Sequence, residues 1–362
     1  MRTDIAEDDI RAPSPDRDQP RRSASRRRLT AGSAQRLGLL AVIAGLVLTF
    51  GSARPAFYDQ QLTVFPLLRD IAVFTVVGLS QMAVLSIGHM NLAVGRMAAF
   101  SAMFMGLAYQ DWHLPLYPGL ALGLLAGAGI GALTGWIITA TGVNSFVVTL
   151  AMDFVLLGLV SLVYSQTTTA AAFTTKPAGM NELRTYSLGD VCVGPICGSP
   201  AVPQLFLFTV LAMLIVGYLY SRTRLGRELL LVGSNLKAAQ LSGIPTTRRV
   251  VGAHALSGTL AALAGFLLAV TGGSFTAGIG SEFMIPSFLG PVLGGTLLTG
   301  GAVSVVGTLL GTTLTQVIRQ GLTLLGIGLE SLNIYLGAIL LLALSTERIR
   351  TLISQRRAAT TR

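Results

Sequence analysis

Stretches of about 20 nearly uncharged residues recur along this chain, and they constrain its fold more than any other feature. They fall near 37–53, 62–87, 91–109, 118–140, 144–165, 204–220, 250–271, 283–300, 302–320 and 330–345. At 1.5 Å per residue, such a run matches the hydrocarbon thickness of a bilayer. No water reaches a peptide group there, so each run must close its own hydrogen bonds as a helix. Ten runs therefore predict an all-α, polytopic transmembrane helical bundle of about ten spans. Composition agrees: 52% of the 362 residues are hydrophobic and only 12% charged, too little charge to keep a soluble chain of this length dissolved. Gly-Gly pairs at 294–295 and 300–301 are able to break the eighth and ninth runs into half-helices.

The placement of Lys and Arg orients the bundle, because cytoplasmic loops retain them. Segments 1–36, 221–249 and 346–362 hold 9, 6 and 5 basic residues, or 20 of the 26 in the chain. An even number of spans puts all three on one side, so both termini and the 221–249 loop are expected in the cytoplasm. The outward segments hold only Arg54, Lys176 and Arg184. This asymmetry accounts for the net charge of +10 without nucleic acid, which would want a folded basic face. Residues 1–36 read as a disordered basic arm, with Arg21, Arg22, Arg26, Arg27 and Arg28 beside anionic lipid headgroups. A cleaved signal peptide centred on Leu37–Phe50 is the rival, but its leading segment would be unusually long and cleavage would spoil the charge parity. The expected organisation is thus the arm, a transmembrane domain over 37–345 with an outer loop at 166–203 and a cytoplasmic loop at 221–249, and a tail over 346–362.

Cys192 and Cys197 lie in the outer loop as "CVGPIC", on the oxidising side. The Gly194-Pro195 turn can bring the thiols together, and two unpaired thiols remain equally open. Glycine recurs at 119, 123, 127, 131 and 135, giving one helix a ridge without side chains along which another backbone can approach. Runs two to five and seven to ten are equal in number and opposite in direction, the pattern of an inverted repeat. No cofactor or metal is expected. The two lysines, Lys176 and Lys237, follow no phosphate-binding glycine loop, and His89, His113 and His254 share no metal-ligand spacing. The chain therefore reads as a transport component and not an enzyme.

Within the cytoplasmic loop, "GSNLKAAQLSGIP" (233–245) is punctuated as a two-turn helix. Ser234 or Asn235 can cap it, Gly243 supplies a left-handed residue at its end, and Pro245 prevents continuation. So short a helix is not stable alone and must lean on this chain or on a partner.

"KAAQLSG" (237–243) and the longer "TRLGRELLLVGSNLKAAQLSGI" (223–244) are similar to the cytoplasmic loop of permease subunits in ribose-type, monosaccharide ATP-binding cassette importers. "SIGHMNLAVGRMAAFSA" (86–102), "LSGTLAALAGFL" (256–267), "VLGGTLLTGGAVSVVGTLLG" (292–311) and "IRQGLTLLGI" (318–327) follow that subfamily in order, so the resemblance covers about 62–345. It implies separate ATPase subunits on the cytoplasmic side, an extracytoplasmic solute-binding protein, and a second permease subunit, identical or not. It implies that Arg224, Gly226, Arg227, Asn235, Lys237, Ala238, Ala239 and Gly243 form the coupling segment that meets the ATPase. Lys237 stands where the family often has Glu, Asn91 where it usually has Asp, and Leu157 where Arg is frequent; Asp153 occupies a span that is usually apolar. Asn91 and Asp153 are the candidate pathway residues, with Arg96 or Arg319 able to reach Asp153. The cargo implied is a sugar or related small polar solute. A branched-chain amino acid or a nucleoside is the alternative within the same importers, and an ion-driven transporter or channel the alternative outside them.

Overall fold

The computed structural model describes residues 21–328, apart from 170, 191, 194–195 and 198, and isolated positions between 331 and 341. Most of the tenth run, the 346–362 tail and the first 20 residues lie outside the described residues.

The first helix, α1 (Arg21–Ala53), begins within the basic stretch expected to lack structure up to residue 36. Arg, Ala and Leu propagate a helix well, and no proline interrupts 21–53. After short turns come α2 (Phe65–Leu85), α3 (Val94–Gln110), α4 (Leu116–Thr141) and α5 (Ser145–Thr167). The outer loop follows with strand β1 (Ala172–Phe173), α6 (Met180–Thr185), and strands β2 (Cys192–Val193) and β3 (Ile196–Cys197). Then come α7 (Phe206–Arg222), α8 (Arg224–Ser234), α9 (Leu236–Leu241) and α10 (Thr246–Gly272). Strand β4 (Phe275–Thr276), α11 (Met284–Leu293) and α12 (Val305–Leu324) complete the described chain. The protein is a helical bundle; its only described sheets are the two-residue pairs β1–β4 and β2–β3.

Among the described residues five helical segments are long and apolar enough to cross a membrane: 35–53, 60–85, 116–141, 145–167 and 246–272. The pair α7 and α8, bent by 72°, makes a sixth if taken as one span. Three expected spans do not meet that standard as continuous apolar helices. The third shortens to the 17 residues of α3. The eighth is only the ten residues of α11, because Gly295, Gly300 and Gly301 take positive φ and turn the chain before α12. The ninth, α12, carries Arg319 and several threonines and glutamines.

The centre of the bundle is α10, which packs against α4, α2 and α3. The glycine ridge of α4 serves two neighbours. Added Cβ atoms at Gly119 and Gly123 would strike Tyr109 and Met105 of α3, whereas those at Gly127 and Gly131 would strike α10. A four-residue repeat winds slowly around a 3.6-residue helix, so one stripe passes from α3 to α10 along its length. On α10, a Cβ at Gly258 would lie 2.0 Å from the Gly127 carbonyl oxygen, so the two backbones touch.

Candidate functional site

The end of α10 at Thr246 holds the segment singled out by sequence. Thr223 caps α8 by accepting from the Gly226 N–H at 3.1 Å. Gly226 sits in the sharp bend, where a Cβ would meet the Leu219 carbonyl oxygen at 2.1 Å; only glycine lets α8 fold back so closely on α7. Glu228, the one acid among six bases in 221–249, is buried. It accepts from Arg224 Nε at 2.7 Å and Arg249 Nε at 2.5 Å, tying α8 to the start of α10. The hydrogen bond from Arg224, joined by that from Arg249, holds its carboxyl below the usual carboxylate range against the opposing effect of desolvation. Glu228 and Arg249 were not among the expected site residues. The signal was present in Arg224-x-x-x-Glu228, the four-residue spacing of a helical ion pair.

Asn235 ends α8 and starts α9, its Oδ1 accepting from the Ala238 N–H at 3.0 Å. Ser234, the other candidate cap, instead donates to the Leu230 carbonyl. Gly243 closes α9 with φ +74° and open space around it. Ala239 is the buried residue of this helix, seated against the protein. Lys237 and Ala238 are exposed, Leu236 is half exposed and Leu241 is 91% exposed. Arg227 is exposed and donates to the Arg222 carbonyl. The structure thus gathers the eight predicted residues at one end but divides their work. Arg224, Gly226, Asn235, Ala239 and Gly243 build the elbow, and the side chains of Arg227, Lys237 and Ala238 are exposed at its surface.

Asn91 and Asp153 are not in contact through any hydrogen bond or ion pair. Asn91 is fully buried where the chain breaks between α2 and α3, donating to Ser257 Oγ of α10 at 3.1 Å and accepting from the Ala93 N–H at 3.0 Å. Gln81 brackets its backbone once its amide is turned to suit its neighbours. Asp153 of α5 faces Arg96 of α3 at 3.8 Å, both partly exposed. Of the two cations able to reach Asp153, Arg96 is the one beside it; Arg319 lies over the Phe74 ring instead, 5.9 Å from its centre. In the outer loop, the backbone register sets Cys192 directly opposite Cys197 across the β2–β3 pair.

Comparison with known proteins bears on this geometry. The chain is 28% identical over 305 residues to the autoinducer 2 import system permease protein LsrD of Salmonella typhimurium, covering 84% of this chain and 89% of that one. The LsrD protein of Photorhabdus temperata is 29% identical over 297 residues, with 82% and 86% covered. That of Yersinia enterocolitica is 29% identical over 306 residues, with 84% and 89% covered. No solved structure is a significant match to the chain. A family profile, described as branched-chain amino acid transport system / permease component, matches residues 63–344, the whole bundle from α2 onward. The chain belongs to this family and is a multi-pass cell-membrane permease subunit of an ATP-binding cassette importer.

Proposed function

We propose that this permease imports a sugar-like small polar solute, delivered by an extracytoplasmic binding protein and driven by separate ATPase subunits at the α8–α9 elbow. A second permease subunit completes the pathway. The observation that carries the reading is α9, a capped helix of six residues presenting Leu241 to solvent beside Lys237. An exposed leucine on a short helix outside the apolar spans wants a protein partner. The basic residues at this elbow support a cytoplasmic position for it, in an arrangement of ten crossings with both termini inside. The two helix breaks, at Gly88 before α3 and at Gly295, Gly300 and Gly301 before α12, support an inverted repeat. The solute class follows the relatives' import of autoinducer 2, together with the sugar-branch motifs. The family's description favours a branched-chain amino acid as the second reading.

Purification of the full chain from its native membrane in mild detergent is expected to bring with it an ATPase carrying a phosphate-binding loop. A preparation active in transport but free of any such ATPase would overturn the reading.

Two local expectations arise here. Non-reducing alkylation and mass spectrometry of the native protein should find Cys192 and Cys197 joined, as their facing positions in an antiparallel pair permit. Two alkylated thiols would refute it. Asp153→Asn should lower the amount of protein in the membrane modestly, by leaving Arg96 without its counter-charge, a loss of roughly 1 kcal/mol at a partly exposed site. Transport per molecule should stay the same. An altered solute range in that variant would instead put Asp153 on the pathway.

A further inference from the structure

The opposite end of α10 holds a cavity of about 520 Å³, within the usual range of small-molecule sites. Arg69 and Asp70 of α2 open onto it, with Thr271 of α10, Ser274, and the apolar Leu268 and Ile279. Arg319 of α12 stands outside this lining but next to it, over the ring of Phe74, one helical turn along α2 from Asp70. These three charges are half buried in helices of a membrane protein, where charge is costly and is retained for a use. Yet none of the three side chains makes a hydrogen bond or an ion pair within 4.0 Å to any described residue. Arg69 Nε is buried and wholly without a partner. At the other end of α10, Glu228 is by contrast closely paired with two arginines. A donor–acceptor set left unsatisfied in this way is complementary to something that arrives.

The chemistry of the set narrows what arrives. A carboxylate accepts hydrogen bonds only and a guanidinium donates only, so a bound group must both donate and accept at closely spaced atoms. Adjacent hydroxyls do this on every carbon. Leu268 and Ile279 offer a wall for the C–H face of a ring, and the Ser274 hydroxyl adds a neutral partner. More cations stand at the rim: Arg184 and Lys176 of the outer loop lie against Gly273, so a free cation is disfavoured.

We propose that Arg69, Asp70 and Arg319 form a receiving site for a compact, polyhydroxylated ring at the outer mouth of the permease. The site rests on the sugar-like solute and the orientation proposed above, and adds the residues that hold the solute once it is handed over.

Saturation-transfer NMR on the full chain in nanodiscs tests this with D-ribose, D-xylose, D-glucose and L-leucine as probes at millimolar concentration. At least one of the sugars is expected to give a signal and leucine none. Arg69→Gln and Asp70→Asn should each weaken the sugar signal about ten-fold, the loss of a charged hydrogen bond. Arg319→Lys, which keeps the charge but not the fork, should weaken it less than Arg319→Gln; this graded pair serves if the α2 variants fail to fold. A sugar signal equal in every folded variant would overturn the site while leaving the sugar reading intact. Absence of any sugar signal from the wild-type chain would overturn the site. A leucine signal lost in Asp70→Asn would overturn both site and sugar reading, since a carboxylate facing an ammonium group has no substitute in asparagine. The ATPase co-purification is indifferent to all of these results.

Discussion

Replacing Gly258 with leucine is expected to eliminate the folded protein from the membrane. At this position α10 and α4 cross backbone to backbone, and the first added carbon would already sit 2.0 Å from the Gly127 carbonyl oxygen and 3.1 Å from the Gly131 Cα. Neither obstacle is a side chain able to rotate away, so the two helices must part. α10 is the element most others pack on, and the parting would reach Ser257, which bonds both Ser80 and Asn91. Overpacking usually costs about 1–3 kcal/mol where side chains can yield; against immovable backbone the cost exceeds that, in a protein whose whole stability is on the order of 5–15 kcal/mol. Gly129 is the control. It lies on α4 beside the ridge and nothing stands within 4 Å of its added carbon, so Gly129→Leu should accumulate normally. Immunoblots of washed membranes and melting temperatures in detergent read both outcomes. Equal levels of the two variants would refute the backbone contact.

Leu241→Asp should abolish transport without reducing the amount of protein. Its side chain is 91% exposed, so its replacement costs the fold almost nothing, and any loss must come from what binds there. An aspartate pressed into an apolar groove on an ATPase would be desolvated without a partner. The expected signature is normal membrane level, absent uptake, and ATPase lost on purification. Gly243→Val should give a weaker version, because φ +74° is strained for a β-branched residue, at about 1 kcal/mol or more, with no steric clash added. Undiminished uptake by Leu241→Asp would remove α9 from the coupling role.

Much of this was legible in the chain. Apolar runs located the helices because hydrocarbon-length stretches admit no other backbone, and the punctuation at Asn235, Gly243 and Pro245 placed α9 within a residue or two. The glycine ridge announced a close approach, though which partner it met could not be read, since two helices share it. What escaped the sequence was pairing over distance. Asn91 reads as a polar residue in a signature, and only the fold sets it against Ser257, 166 residues away. Arg69 and Asp70 sit in one apolar run and Arg319 in another, and they look like unrelated exceptions until α2 and α12 come together. Asp153 was half legible: its need for a cation followed from its span, and the choice of Arg96 required the packing of α3 on α5.

The elbow meets the two helix breaks in an unusual way. At the end of α8, Gly233 lies so near the first break that a Cβ would stand 2.0 Å from the Ser86 carbonyl oxygen, and 2.6 Å from the Gly301 nitrogen of the second break. Gly301 N–H donates to that same Ser86 oxygen at 3.0 Å, and Tyr220 reaches Ser86 Oγ from α7. Side chains between moving parts act as springs, changing rotamer and absorbing displacement. Neither Gly233 nor Gly301 has one to compress. A shift of the elbow is therefore expected to arrive at both breaks almost undiminished, as through a gear train cut without backlash.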